Sequence, residues 1–180
     1  PVPETTAPPV IQIAPLQITE VMPDNTRLAL GCEQDWVELY NPEDTPVSLE
    51  GYALTDGQDT LPLTGLTVPG GGYLAILLED GGPLGLSELG ETVYLTCGDE
   101  TVSQLTFPAS ENGCSFDADG PCPFPTPGCA NTEEGYISYL NSTPLPELVI
   151  NEVMTANGSY YAVNYFYHYD LVEVANTSDH

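Results

Sequence analysis

The segments ITEVMPDN (18–25) and DWVELYN (35–41) decide the fold. In an extended chain, successive side chains point to opposite faces. Val37 and Leu39 therefore share one face of the second segment, and Trp36, Glu38 and Tyr40 share the other, until Pro42 ends it. The first segment alternates from Leu16 to Met22 and stops at Pro23-Asp24-Asn25, a turn signal. The same pattern continues outward. Residues 51–56 (GYALTD) are closed by Gly57, and residues 61–68 run through Pro69-Gly-Gly-Gly72 into residues 73–78. Such a glycine turn tolerates backbone angles that other residues adopt at a cost. Residues 92–97 and 101–107 read as a hairpin across Gly98-Asp99-Glu100. No helical period persists beyond two turns. Short strands separated by turn signals indicate an all-β sandwich or barrel.

The chain also repeats itself. LQITEVMPDN (16–25) returns as LVINEVMTAN (148–157), and DWVELYN (35–41) returns as DLVEVAN (170–176). Two matched strands in the same order indicate a partial second repeat from residue 148. It carries only its first two strands by His180, and an isolated two-stranded hairpin is marginal in water. The expected organisation is a Pro-rich linker or strand-donating arm (1–15), a complete sandwich (16–131), a linker (132–147) and two strands of a second copy (148–180). Pro1 in place of Met, with no signal peptide visible, reads as a processed or trimmed start.

These segments resemble the lamin-tail domain. The matching elements are ITEVMPDN (18–25), DWVELYNPEDTPVSLEGYALTD (35–56), the Pro-Gly-Gly-Gly-Tyr turn (69–73), GETVYL (90–95) and PTPGCAN (125–131), in family order. The resemblance implies an immunoglobulin-like β-sandwich of the lamin-tail type and a non-enzymatic module. Bacterial members of the family sit beside secreted hydrolases or other surface modules, or occur as repeats. Lamin tails bind DNA through basic surface, and that property does not carry over to this chain.

The charge is the reason. The chain has 180 residues, 27 acidic residues and one basic residue, giving a formal net charge of −26. Phosphate recognition needs Lys and Arg, so nucleic acid is excluded as a partner, and an anionic membrane surface with it. A surface this anionic stays soluble and attracts cations. That suits a secreted or cell-surface protein in salt- or calcium-rich surroundings. The 41% hydrophobic content is enough for a packed core, and 17 Gly with 18 Pro suit turn-rich strands.

Cys32, Cys97, Cys114, Cys122 and Cys129 contain no Cys-x-x-Cys spacing, which argues against a zinc ribbon or a thioredoxin-like site. Three of them crowd a Gly/Pro-rich stretch with little core of its own, so disulfide stapling is expected. The expected pairs are Cys122–Cys129 or Cys114–Cys122 locally, and Cys32–Cys97.

Catalytic chemistry finds few groups. His168 and His180 lie in the partial repeat, so a nucleophile in the complete domain lacks an imidazole base. There is no lysine for a Schiff base. A carboxylate pair remains. Glu20 and Glu38 sit on the first two strands and recur as Glu152 and Glu173. They either accept hydrogen bonds from backbone N–H groups and turn hydroxyls, hold a shared Ca²⁺ between strands, or form a glycosidase-like pair. Asp117-Ala-Asp119-Gly120 resembles part of a calcium loop, but Ser115 and Thr126 occupy the places of its first and twelfth ligands; the other reading is a structural turn. Tyr161, Tyr165, Tyr167 and Tyr169 share one face of an extended segment, for cross-strand packing or as a protein-contact surface. Asn141, Asn157 and Asn176 begin Asn-x-Ser/Thr triplets, which matter where exported proteins are glycosylated.

Two functions follow. One is a non-catalytic structural or adhesive module of an extracellular surface or filament protein, whose partners are other protein chains, including copies of itself joined by strand complementation. The alternative is a calcium- or carbohydrate-binding accessory module of a larger secreted hydrolase.

Overall fold

The computed structural model describes residues 13–26, 29–110, 113–142, 148–155, 162–163, 167–168 and 170–176. The chain divides into two compact units, Pro1–Ser142 and Thr143–His180. The first contains β1 (Gln17–Met22), β2 (Trp36–Tyr40), β3 (Val47–Ser48), β4 (Tyr52–Thr55), β5 (Thr60–Pro62), β6 (Thr67–Val68), β7 (Tyr73–Leu77), β8 (Gly90–Cys97), β9 (Glu100–Pro108), β10 (Phe116–Asp117), β11 (Gly120–Pro121) and one helix, α1 (Glu133–Ser142). An antiparallel sheet in the order β11-β10-β1-β2-β7 and a second in the order β5-β4-β8-β9 share one core, and β3 pairs with β6. This is the immunoglobulin-like β-sandwich the sequence implied.

Alternation explains most of the core. Val37 and Leu39 of β2 and Val93 and Leu95 of β8 are all buried in it. β1 breaks strict alternation, and a bulge is the cause: its pairing with β2 shifts between Ile18 and Glu20. The extra residue lets Ile18 and Val21 both face the main core. It also turns Glu20 and Met22 to the outer face, where Met22 packs with Trp36 and Ala29 in a small second cluster. At the β6–β7 turn, Gly70 is required by a close approach, since a Cβ there would lie 2.2 Å from the Asp44 carbonyl oxygen.

The expected linker is partly helical. Thr132 caps α1 by accepting the Gly135 N–H at 3.0 Å, and Glu133 and Glu134 occupy the first turn. Gly135 lets the helix start press against the preceding chain, where a Cβ would lie 1.8 Å from the Ala130 oxygen. Among the described residues no helix is long and apolar enough to cross a membrane.

In the second unit, β12 (Leu148–Met154) pairs with β15 (Leu171–Asn176), and β13 (Ala162–Val163) with β14 (Tyr167–His168). The β12–β15 ladder reproduces β1–β2 closely. Glu152 faces Glu173 as Glu20 faces Glu38, Val153 faces Val172 as Val21 faces Val37, and a register shift falls between Ile150 and Glu152. The side-chain environments are opposite. Ile18, Val21, Val37 and Leu39 are buried, whereas Ile150, Val153, Val172 and Val174 are 69%, 55%, 59% and 55% exposed.

Candidate functional site

The bulge in β1 and the alternation of β2 put Glu20 and Glu38 side by side on the outer face of the five-stranded sheet, directly opposite in register. Both are fully buried. The 125–131 segment, together with Thr19 of β1, supplies their hydrogen-bond donors. The Thr126 N–H donates to Glu20 Oε2 at 3.1 Å and to Oε1 at 3.3 Å. The Thr126 hydroxyl lies 2.8 Å from Glu20 Oε2 and 3.1 Å from Asn131 Oδ1. The Gly128 N–H donates to Glu38 Oε2 at 2.6 Å, and the Thr19 hydroxyl to Glu38 Oε1 at 2.7 Å. Asn131 Nδ2 closes the arrangement on the Thr19 carbonyl at 3.1 Å. Every carboxyl oxygen of the pair thus has a hydrogen-bond partner within the chain itself. The site is a latch that fastens the closing 125–131 segment to the sheet.

Removal from water dominates its electrostatics. Burial pushes the Glu38 carboxyl up to about 8, with the neighbouring Glu20 charge adding to the rise and the Thr19 and Gly128 donors opposing it. Burial likewise raises Glu20, against its hydrogen bonds to Thr126. Near neutral pH, Glu38 therefore holds a proton. The Gly128 N–H can only donate, so it keeps Oε2. The proton belongs on Oε1, where the Thr19 hydroxyl can turn round and accept it.

Of the remaining acids singled out in the sequence, Asp117 comes to the edge of the latch. Asn131 Nδ2 lies 3.5 Å from its Oδ2, and its charge raises Glu20 further. Its Oδ1 accepts the N–H groups of Asp119 at 2.8 Å and Gly120 at 3.1 Å, making the turn between β10 and β11. Asp119 is exposed in that turn. The described residues hold no group of three or more His, Cys, Asp or Glu placed to share a metal ion.

All five cysteines are free thiols in this structure, so none of the expected disulfides is formed in it. Cys97 pairs with Tyr52, whose hydroxyl accepts the Ala14 N–H at 2.9 Å, at the end of the sandwich where β1 begins. Cys32 follows the turn near Met22 and Trp36, where β1 ends; its carbonyl accepts from Asn25 Nδ2 at 2.8 Å. The Cys114 thiol points to the Cys122 carbonyl at 3.9 Å. Burial raises the Cys122 and Cys129 thiols, the adjoining Glu20 and Glu38 charges adding to it respectively. Tyr161, Tyr165 and Tyr169 lie outside the described residues, and Tyr167 is in β14. The Pro-rich arm, apart from residues 13–15, and Arg27 also lie outside them.

In the second unit, Asn151 takes the place of Thr19, and its amide donates to Glu173 as the Thr19 hydroxyl does to Glu38. Glu152 and Glu173 are nonetheless exposed. The sequence located the acid pair but missed the donors. Thr126, Gly128 and Asn131 are legible as partners only in retrospect, from a Pro-Thr-Pro-Gly segment stiff enough to hold N–H groups in place.

A family profile described as Lamin Tail Domain matches residues 9–109 of the chain. No curated protein and no solved structure matches it.

Proposed function

Because the chain belongs to the lamin tail domain family, whose immunoglobulin-like fold serves structural and interaction modules, we propose that it is a non-catalytic structural or adhesive subunit of a secreted or cell-surface assembly, joined to its neighbours by strand complementation. One observation carries this reading: the β12–β15 ladder takes the register of β1–β2, yet its apolar side chains are exposed. Burying each of those large side chains is favourable by roughly 1.5–3 kcal/mol. In the complete domain, the side of β2 away from β1 is occupied by β7. Among the described residues β15, its counterpart, pairs only with β12, and β7 is an edge of the five-stranded sheet with Leu77 exposed. Pairing β15 of one chain with β7 of the next satisfies both edges through main-chain hydrogen bonds. That contact joins two different surfaces, so it need not close and builds a fibre.

The accessory-module reading has less behind it, because all four latch oxygens already have hydrogen-bond partners within the chain. The net charge of −26 opposes association of like chains, so assembly should strengthen as salt shortens the screening length. Light scattering on the full chain across an ionic-strength series tests this. The native chain is expected to grow in size with salt and concentration, and V153D/V172D to stay monomeric. Identical size distributions for the two proteins would refute strand complementation.

A further inference from the structure

The first unit carries a groove that the latch does not use. It has a volume of about 660 Å³ and runs between the β10–β11 turn and α1. Its apolar wall is Phe124, Tyr136, Ile137 and Leu140. Phe124 and Tyr136 stack with centroids 4.4 Å apart, yet Phe124 and Ile137 remain half-exposed and Leu140 is exposed as well. The groove is preformed. Thr132 and the close approach of Gly135 fix the start of the helix, and the Tyr139 hydroxyl accepts the Leu30 N–H at 3.0 Å further along. All of its lining lies beyond residues 9–109 that the family profile matches.

The lining decides what the groove recognises. Apart from the Tyr136 hydroxyl, its neutral oxygen- and nitrogen-bearing side chains are already engaged: Thr126 and Asn131 in the latch, and Thr132 in the helix cap. No array of neutral donors and acceptors is left to read the hydroxyls of a sugar. What remains is apolar surface with the carboxylates of Asp117 and Glu133 at its margin, on a chain of net charge −26. A second copy of this chain offers one basic residue against 27 acidic ones and is a poor match. We propose that this groove docks a basic amphipathic segment of a different protein, one that inserts bulky apolar side chains between Phe124 and Leu140 and sets Lys or Arg against Asp117 and Glu133. Aromatic and aliphatic anchors then supply affinity, and complementary charge supplies orientation and encounter rate.

The probe is a fluorescein-labelled decapeptide of alternating Leu and Lys, titrated into the full chain and followed by fluorescence anisotropy. Decapeptides of alternating Ser and Lys and of alternating Leu and Glu serve as controls. The Leu–Lys peptide is expected to bind saturably, at least roughly tenfold tighter than either control. The I137S/L140S variant should weaken it by roughly tenfold or more, because two exposed anchoring contacts are lost while the charge is unchanged. V153S/V172S, which alters the apolar face of the second unit, should leave binding as it is. Equal binding of the Leu–Lys and Ser–Lys peptides would mean that net charge alone attracts them, and would overturn the proposal. So would undiminished binding to I137S/L140S, or loss of binding in V153S/V172S. Strand complementation concerns β15 and β7, neither of which lines this groove, and can fail or stand independently of these results.

Discussion

Glu38→Gln isolates the proton held inside the latch. Free glutamate titrates at 4.5, and in the folded chain Glu38 is raised to about 8. Between those values, the folded chain holds a proton that the unfolded chain has released. The contribution to stability is therefore full below 4.5 and is lost as the pH rises towards 8. Loss of one proton on unfolding lowers stability by up to about 1.4 kcal/mol per pH unit. Asp35, raised to about 6 by burial, adds its own slope mostly below that pH, so pH 6.5 to 7.5 is the informative window. Glutamine is neutral throughout. Its amide nitrogen can donate to the Thr19 hydroxyl and its oxygen can accept from Gly128, as protonated Glu38 does. The variant should be within about 1 kcal/mol of the native chain at pH 6.5. From pH 6.5 to 7.5 the native chain should lose about 1 kcal/mol more stability than the variant does. Urea unfolding at half-unit pH steps, extrapolated linearly to water, measures both. Parallel slopes for the two proteins would show that Glu38 is ionised in the folded state and that the protonated latch is wrong.

Two further substitutions test the architecture. Thr126→Val removes one of the latch donors but keeps the backbone N–H, and should cost about 1–3 kcal/mol in urea unfolding; a change within experimental error would detach the latch from stability. Leu39→Ala should cost about 2–5 kcal/mol because it empties a filled core. Its counterpart Val174→Ala, examined at dilute, monomeric concentration, should change stability by less than about 0.5 kcal/mol; a cost equal to that of Leu39→Ala would mean that the face of the second hairpin is already covered within the chain.

Strand content was open to reading because alternation is local. Val37 and Leu39 against Trp36, Glu38 and Tyr40 follows from the backbone period of two, and the sandwich packs those residues as read. The similar segments ITEVM (18–22) and INEVM (150–154) take the same register with their partner strands, with a shift in the same place. Two features were not legible. The bulge in β1 is a pairing event, and the spacing of β1 alone does not reveal that Ile18 and Val21 share a face. α1 is short and its apolar side chains are partly exposed, so it carries little periodic signal.

The sequence by itself determined the class of fold and set Glu20 and Glu38 on its first two strands. Each rests on composition or on the geometry of a few consecutive residues. What those carboxylates do was decided by tertiary structure. Their donors at Thr126 and Gly128 lie about a hundred residues away in sequence, and nothing local specifies that a rigid turn returns over the sheet to meet them. Burial was decided there too, and with it the protonation of Glu38, because the loss of water that raises a carboxyl exists only once the covering segment is in place. The two ladders show the same division: similar sequence gives the same register, while burial of the β1–β2 face comes from the strands packed over it, and Ile150, Val153, Val172 and Val174 of β12 and β15 are exposed.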